Sequence, residues 1–115
     1  MAKEQDFRRI TSSLQGTVEA PHFDRAAFKV ARIYATLAAD GKTANLKLSL
    51  DEQEFRCQRA PAAYAPVPGG WGRMGYTTIT LSALSEAELE DALTVAWRGA
   101  QPTPRRKPGA PPRHR

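Results

Sequence analysis

The chain has 115 residues, 17 lysines and arginines against 12 acidic residues, and a formal net charge of +5, which is the size of one domain with a short appendage. Its single cysteine, Cys57, excludes an internal disulfide, no paired Cys/His spacing suits zinc, and the longest apolar runs are only strand length, which excludes a spanning helix. The opening MAKEQDFRR is charged from its third residue and leads into no apolar run, so the expectation is a cytoplasmic protein with neither a leader nor an anchor.

The positive charge divides unevenly. Five bases, Arg105, Arg106, Lys107, Arg113 and Arg115, fall after Gly99 with no acid among them, which leaves 12 bases and 12 acids in a formally neutral body. Within that body Arg25, Lys29, Arg32, Lys42 and Lys47 lie on or beside the expected hairpins, while acids gather at 51–54 and 86–91. Carboxylates at helix starts are stabilised by the macrodipole, which explains the acidic half of this division.

Taken in order, Phe7, Ile10 and Leu14 recur at helical spacing and predict a first helix from about Lys3 to Gln15, closed by Gly16. A short proline-containing connection, TVEAPHF, runs into a first strand near His22, and RAAFKV (25–30) alternates as a second. The segment RIYATLAADGKTANLKLSL (32–50) reads as a β-hairpin on a type I′ turn at Asp40-Gly41. Pairing outward places Leu37 with Ala44, Ala35 with Leu46 and Ile33 with Leu48 on an apolar face. Thr36 with Asn45 and Tyr34 with Lys47 then share the polar face.

DEQEFRCQRAP predicts a short second helix with Asp51 as N-cap, Glu54 at N3 and a Leu50–Phe55 staple, ending before Pro61. AAYAPVPGGWGRMGYTTITLS is a loop or wide irregular hairpin leading into a strand from Tyr76 to Leu81. A last helix is signalled by a Ser85/Glu88 capping box, a Leu84/Leu89 staple and the stripe Leu89, Ala92, Leu93, Ala96 and Trp97, stopping near Gly99. The remaining QPTPRRKPGAPPRHR has no apolar residue to bury and is expected to be disordered with polyproline II character, so residues 1–99 form the domain and 100–115 a basic tail.

The pieces APHFDRAAFKVARIYATL, LKLSLDEQEF, APVPGGWGRMGYTTITL and ELEDALTVAWRGA, in this order and spacing, resemble the MmcQ/YjbR-like family from about Val18 to Ala100. The resemblance implies a two-layer α+β fold, an antiparallel sheet with helices packed on one face in the order α-β-β-β(β)-α-β-α, related in shape to secretion chaperones. It also implies a DNA-binding protein with a double-wing motif, and it brings no catalytic residues. The proline-rich tail lies outside it.

Three stretches are candidate contact sites. On the hairpin, Arg25, Lys29, Arg32, Lys42 and Lys47 suit phosphates and Tyr34 suits stacking on a base; the structural alternative is a polar face that simply meets water. In GGWGRMGY, Trp71 is expected to plug the core at the start of the last strand, the alternative being an exposed stacking contact, while Arg73 is the contact residue. In the tail, Arg105, Arg106 and Lys107 form a sequence-independent basic arm, or else only solubilise the chain. With His22 and His114 the only histidines, no Ser/His/Asp set or metal site assembles, and Cys57 is expected to be an inert, half-buried thiol. The expectation is therefore a non-enzymatic module without metal or cofactor that binds DNA weakly and has no membrane partner. A protein-interaction surface, a homodimer or a small-ligand pocket under the 66–76 loop are the alternatives.

Overall fold

Strands that alternate apolar and polar residues need a second layer on their apolar side. In the computed structural model, which describes residues 1–102, helices supply that layer. The strands are β1 (Val18–His22), β2 (Arg25–Lys29), β3 (Ile33–Leu37), β4 (Thr43–Lys47), β5 (Tyr64–Pro66) and β6 (Tyr76–Thr80). They form one six-stranded sheet in the order β1-β2-β3-β4-β6-β5, with every neighbouring pair antiparallel. The helices are α1 (Glu4–Ser13), α2 (Leu50–Arg59), α3 (Gly70–Arg73) and α4 (Glu86–Gly99), with a 3-10 turn at Leu81–Ala83 before the last. The fold is thus α+β, as the sequence implies, and no helix among the described residues is long and apolar enough to cross a membrane.

The core lies between the sheet and α1, α2 and α4. Phe7 and Ile10 of α1 and Leu89, Leu93 and Ala96 of α4 are buried against Phe28, Leu37, Leu46 and Ile79 of the strands. Phe7 meets Phe28 edge to face at 5.2 Å. Each such fully buried large side chain stabilises the fold by about 1.5–3 kcal/mol. The start of α4 matches the sequence signal closely: Ser85 Oγ accepts from the Glu88 amide at 3.0 Å and the Glu88 carboxylate accepts from the Ser85 amide at 2.8 Å.

The central hairpin keeps its expected register, Leu37 with Ala44, Thr36 with Asn45 and Ala35 with Leu46. Its turn differs. Gly41 has φ +72° but Asp40 does not have a positive φ, so the type I′ turn does not form. Instead the Gly41 amide donates to the Ala38 carbonyl, Asp40 Oδ1 accepts from the Lys42 amide, and Ala38 pairs with Thr43. A four-residue loop closed by a side-chain turn preserves the register that a two-residue loop would give.

A larger departure lies one strand away. Phe28 pairs with Ala35 and Lys29 with Ile33, so Tyr34 is an extra residue in β3. Such a bulge reverses the faces of everything beyond it. Tyr34 therefore turns into the core, fully buried with its hydroxyl on Thr17 Oγ1 at 2.8 Å, and it neither faces Lys47 nor offers a ring for stacking. Ile33 takes the open face in its place and never reaches Leu48.

Helix α2 also begins earlier than its acidic residues suggest. Ser49 is the N-cap, accepting from the Glu52 amide at 3.1 Å, because its hydroxyl already lies beside the first free amides. Asp51 and Glu54 are on the helix, and Leu50 and Phe55 are both exposed rather than stapled.

Two positions expose a cost of the hairpins. Both edge strands carry a proline, Pro21 in β1 and Pro66 in β5, which removes a ladder donor from each edge. At the β1–β2 tip, Phe23 is 93% exposed and sits at φ +60°, a conformation a bulky side chain adopts only under strain. Replacing Phe23 by glycine loses no burial and releases the strain. Chemical denaturation of Phe23→Gly is expected to show a gain of about 1 kcal/mol with an unchanged m value.

Candidate functional site

The sheet face turned away from the helices is assembled by strand parity. Ala27, Thr36, Asn45 and Thr78 are successive cross-strand partners and form one row across it. The row is hydrogen-bonded: Thr78 Oγ1 meets Asn45 Oδ1 at 2.8 Å, and the Arg25 guanidinium reaches Thr36 Oγ1 at 2.8 Å and the Thr36 carbonyl at 3.2 Å. One residue pair further along lie Lys29 beside Ile33 and Lys47 beside Tyr76. Lys47 Nζ stands 5.7 Å above the Tyr76 ring, and Trp71 meets the same ring edge to face at 5.3 Å.

Trp71 is therefore not a core plug. It is 61% exposed. The glycines around it explain the difference: a Cβ on Gly72 would collide with the Val67 carbonyl, so the chain folds back on itself at that point and throws Trp71 outward. Trp71, Val67 and Ile33 wall a concavity of about 340 Å³ over Thr36 and Asn45, with Arg25 on its far side. A volume of this kind is in the range of small-ligand sites.

Charge separates between the two layers. Nine of the acidic residues lie on the helices α1, α2 and α4, Glu19 points to the helix side where it accepts from Arg8 at 2.6 Å, and Asp24 and Asp40 occupy hairpin tips. Among the described residues, no carboxylate belongs to the open face. The ion pairs found among those residues are likewise on the helix side: Arg8 with Glu4 and Glu19, Arg9 with Asp6 and Glu86, Arg56 with Glu52 and Asp91. Burial works against the charge on Arg56, but hydrogen bonds from its guanidinium to Asp91, Glu52 and Tyr64 outweigh burial and raise its pKa. Lys29, Lys47 and Arg73 have no such partners among the described residues, and Arg25 is held by neutral Thr36 alone.

Of the residues proposed from sequence, the structure brings Arg25, Lys29, Lys47 and Trp71 to one face. Arg73 follows Trp71 at the end of α3 and is exposed. Arg32 and Lys42 sit at opposite ends of β3, the first donating to the Gln101 carbonyl at 3.2 Å and the second in the β3–β4 turn, so they do not join that cluster. Tyr34 is in the core. Arg105, Arg106 and Lys107 lie outside the described residues. Ile33, Val67 and Tyr76 were missed as site residues: the bulge hid the first, and only the short β5 strand beside β6 shows that the other two share a wall. His22 is exposed with its ring 5.0 Å from Phe23. Cys57 is a half-buried free thiol whose pKa burial pushes up, which disfavours the reactive thiolate.

Against known proteins, the model of the family described as YjbR matches residues 12–99. The chain belongs to the YjbR family. The crystal structure of Deinococcus radiodurans protein DR2400, described as a DUF419 domain, is similar to this YjbR domain with a TM-score of 0.72, 24% sequence identity, and coverage of 84% of this chain and 76% of that one. At that identity the likeness extends to the fold. No curated protein matches this YjbR chain.

Proposed function

We propose that this YjbR domain is a non-enzymatic nucleic-acid-binding module whose open sheet face holds phosphates. The observation that carries the reading is the segregation of charge: Arg25, Lys29 and Lys47 share a sheet face free of carboxylates among the described residues, while the acids lie on the helices, at hairpin tips or, as Glu19, on the helix side. A formally neutral body presents a basic face by this means, and phosphate contacts of that kind need no sequence recognition. The basic residues after Gly99 add charge of the same sign. Docking of another chain against a sheet edge is less well supported, since Pro21 and Pro66 interrupt both edges.

The test compares two triple variants of equal charge by fluorescence anisotropy of labelled DNA, duplex and single-stranded, from low to moderate salt. Arg25→Ala/Lys29→Ala/Lys47→Ala is expected to weaken binding and reduce the log–log salt slope by about 2–3, at roughly 0.7–0.9 per phosphate contact. Arg9→Ala/Arg59→Ala/Arg98→Ala, on helices α1, α2 and α4, is expected to leave both nearly unchanged. Equal losses in the two variants would mean that net charge alone matters, and would remove the sheet face from the reading.

A further inference from the structure

The face described above has one feature that phosphate binding does not use. Its cations are spread over β2 and β4, yet beside them lies an apolar concavity of about 340 Å³ walled by an exposed indole. A lone exposed tryptophan is ordinary on a protein surface, but this one walls a concavity together with Ile33 and Val67, the arrangement of a ligand site. Here the exposure is built in. Gly72 packs against the Val67 carbonyl with no room for a Cβ, and the Gln53 side-chain amide donates to the Gly72 carbonyl at 2.9 Å, so α3 is fixed from two sides and Trp71 is held out over the sheet.

We infer that this concavity seats one unstacked nucleobase, with Trp71 as the stacking platform, so that the substrate class of the face is single-stranded nucleic acid. The inference rests on the proposed phosphate-binding reading and adds to it the element that selects strands with accessible bases. In an edge-to-face pair the partner covers at most one side of a ring, so Tyr76, at 5.3 Å and 82° to Trp71, leaves an indole face free for a base. Ile33 and Val67 complete the apolar wall. The floor is polar: Asn45 accepts from Thr78 through Oδ1, and its Nδ2 has no protein partner among the described residues, which leaves an amide donor available to a carbonyl or ring nitrogen on a base edge. Lys47 beside Tyr76 and Arg25 across the concavity stand where the phosphates on either side of a seated base would run. Paired bases of a duplex are stacked and cannot enter such a seat without flipping. Bases stacked on protein aromatics are the recurrent device of single-strand binders, and they are tolerant of sequence because every base has a π-face.

The experiment compares full-length chain binding to labelled oligothymidylate and to an abasic oligonucleotide of the same length and label, at one fixed low salt concentration. The abasic strand keeps every phosphate and removes every base. Wild type is expected to prefer the base-bearing strand by about tenfold. Trp71→Ala is expected to abolish that preference while leaving the abasic affinity within about twofold, and Trp71→Phe to retain part of it. Because Trp71 is largely exposed, neither substitution removes a core residue. Equal wild-type affinity for the two strands, or a Trp71→Ala protein that keeps the preference, overturns the base seat and leaves the phosphate reading standing. Absence of binding to either strand overturns both.

Discussion

Gln53→Glu is expected to be the most damaging single-atom change in the protein, with a loss of about 3–5 kcal/mol at neutral pH, the usual cost of a buried charge without a partner. Gln53 is a buried polar residue on α2, and its Nε2 donates to the Gly72 carbonyl at 2.9 Å, the Tyr76 carbonyl at 3.1 Å and Thr77 Oγ1 at 3.2 Å. One amide thus ties α2 to α3 and to β6. A carboxylate in that place has no proton to offer and faces three oxygens. Its pKa would rise, since both burial and the surrounding acceptors disfavour the ionised form. The sign follows from proton binding: the folded state then holds a proton that the unfolded chain has released, so stability falls as pH rises above the unfolded carboxylate value and recovers on acidification. Urea midpoints measured from pH 4 to pH 8 should therefore slope downward for Gln53→Glu relative to wild type. Gln53→Met conserves volume and should cost only about 1–3 kcal/mol with no added pH slope, because the Gly72 and Tyr76 carbonyls keep other donors from Gly75 and Val67. A flat difference between Gln53→Glu and wild type across that range would show that the side chain is not buried among acceptors.

The parts of the fold that the sequence disclosed are those in which one local pattern suffices. Ser85 and Glu88 cap α4 because a capping box is complete within four residues. The β3–β4 register follows from two strands whose apolar positions agree, and it survives a turn of a different type because Ala38 and Thr43 pair in both cases. What the sequence could not disclose depends on long-range partners. Tyr34 reads as an open-face residue by simple alternation, and only the bulge against Phe28 turns it inward. Burial is feasible there because Thr17, seventeen positions earlier, supplies the hydroxyl partner. Trp71 reads as a core residue from its size, and the close approach of Gly72 to Val67 decides otherwise. The division of bases to the hairpins and acids to the helix starts was legible, but which of those cations share a face was not, since parity across five strand pairings, including the bulge, sets it.

Fold and candidate site are coupled most tightly at Gly75. It has φ +103°, and a Cβ there would collide with the Leu48 carbonyl and lie 3.6 Å from Lys47 Nζ. The Leu48 amide donates to the Gly75 carbonyl at 3.1 Å, and the Thr77 hydroxyl donates to the same carbonyl at 3.0 Å. The chain leaves this point as β6, with Tyr76 beneath Lys47 and against Trp71. Gly75→Ala combines a backbone conformation that costs about 1–3 kcal/mol with a clash against backbone that cannot move independently of β4, itself worth about 1–3 kcal/mol. A total loss near 3 kcal/mol is expected in urea or thermal unfolding. The functional effect should exceed that of a comparable core truncation such as Leu93→Ala, a buried α4 residue whose loss leaves Tyr76 and Trp71 in place. At a temperature where both variants are folded, Leu93→Ala should keep its preference for base-bearing over abasic single strands and Gly75→Ala should lose it. Equal preference in the two would mean that the position of Tyr76 relative to Trp71 does not govern how a base is held.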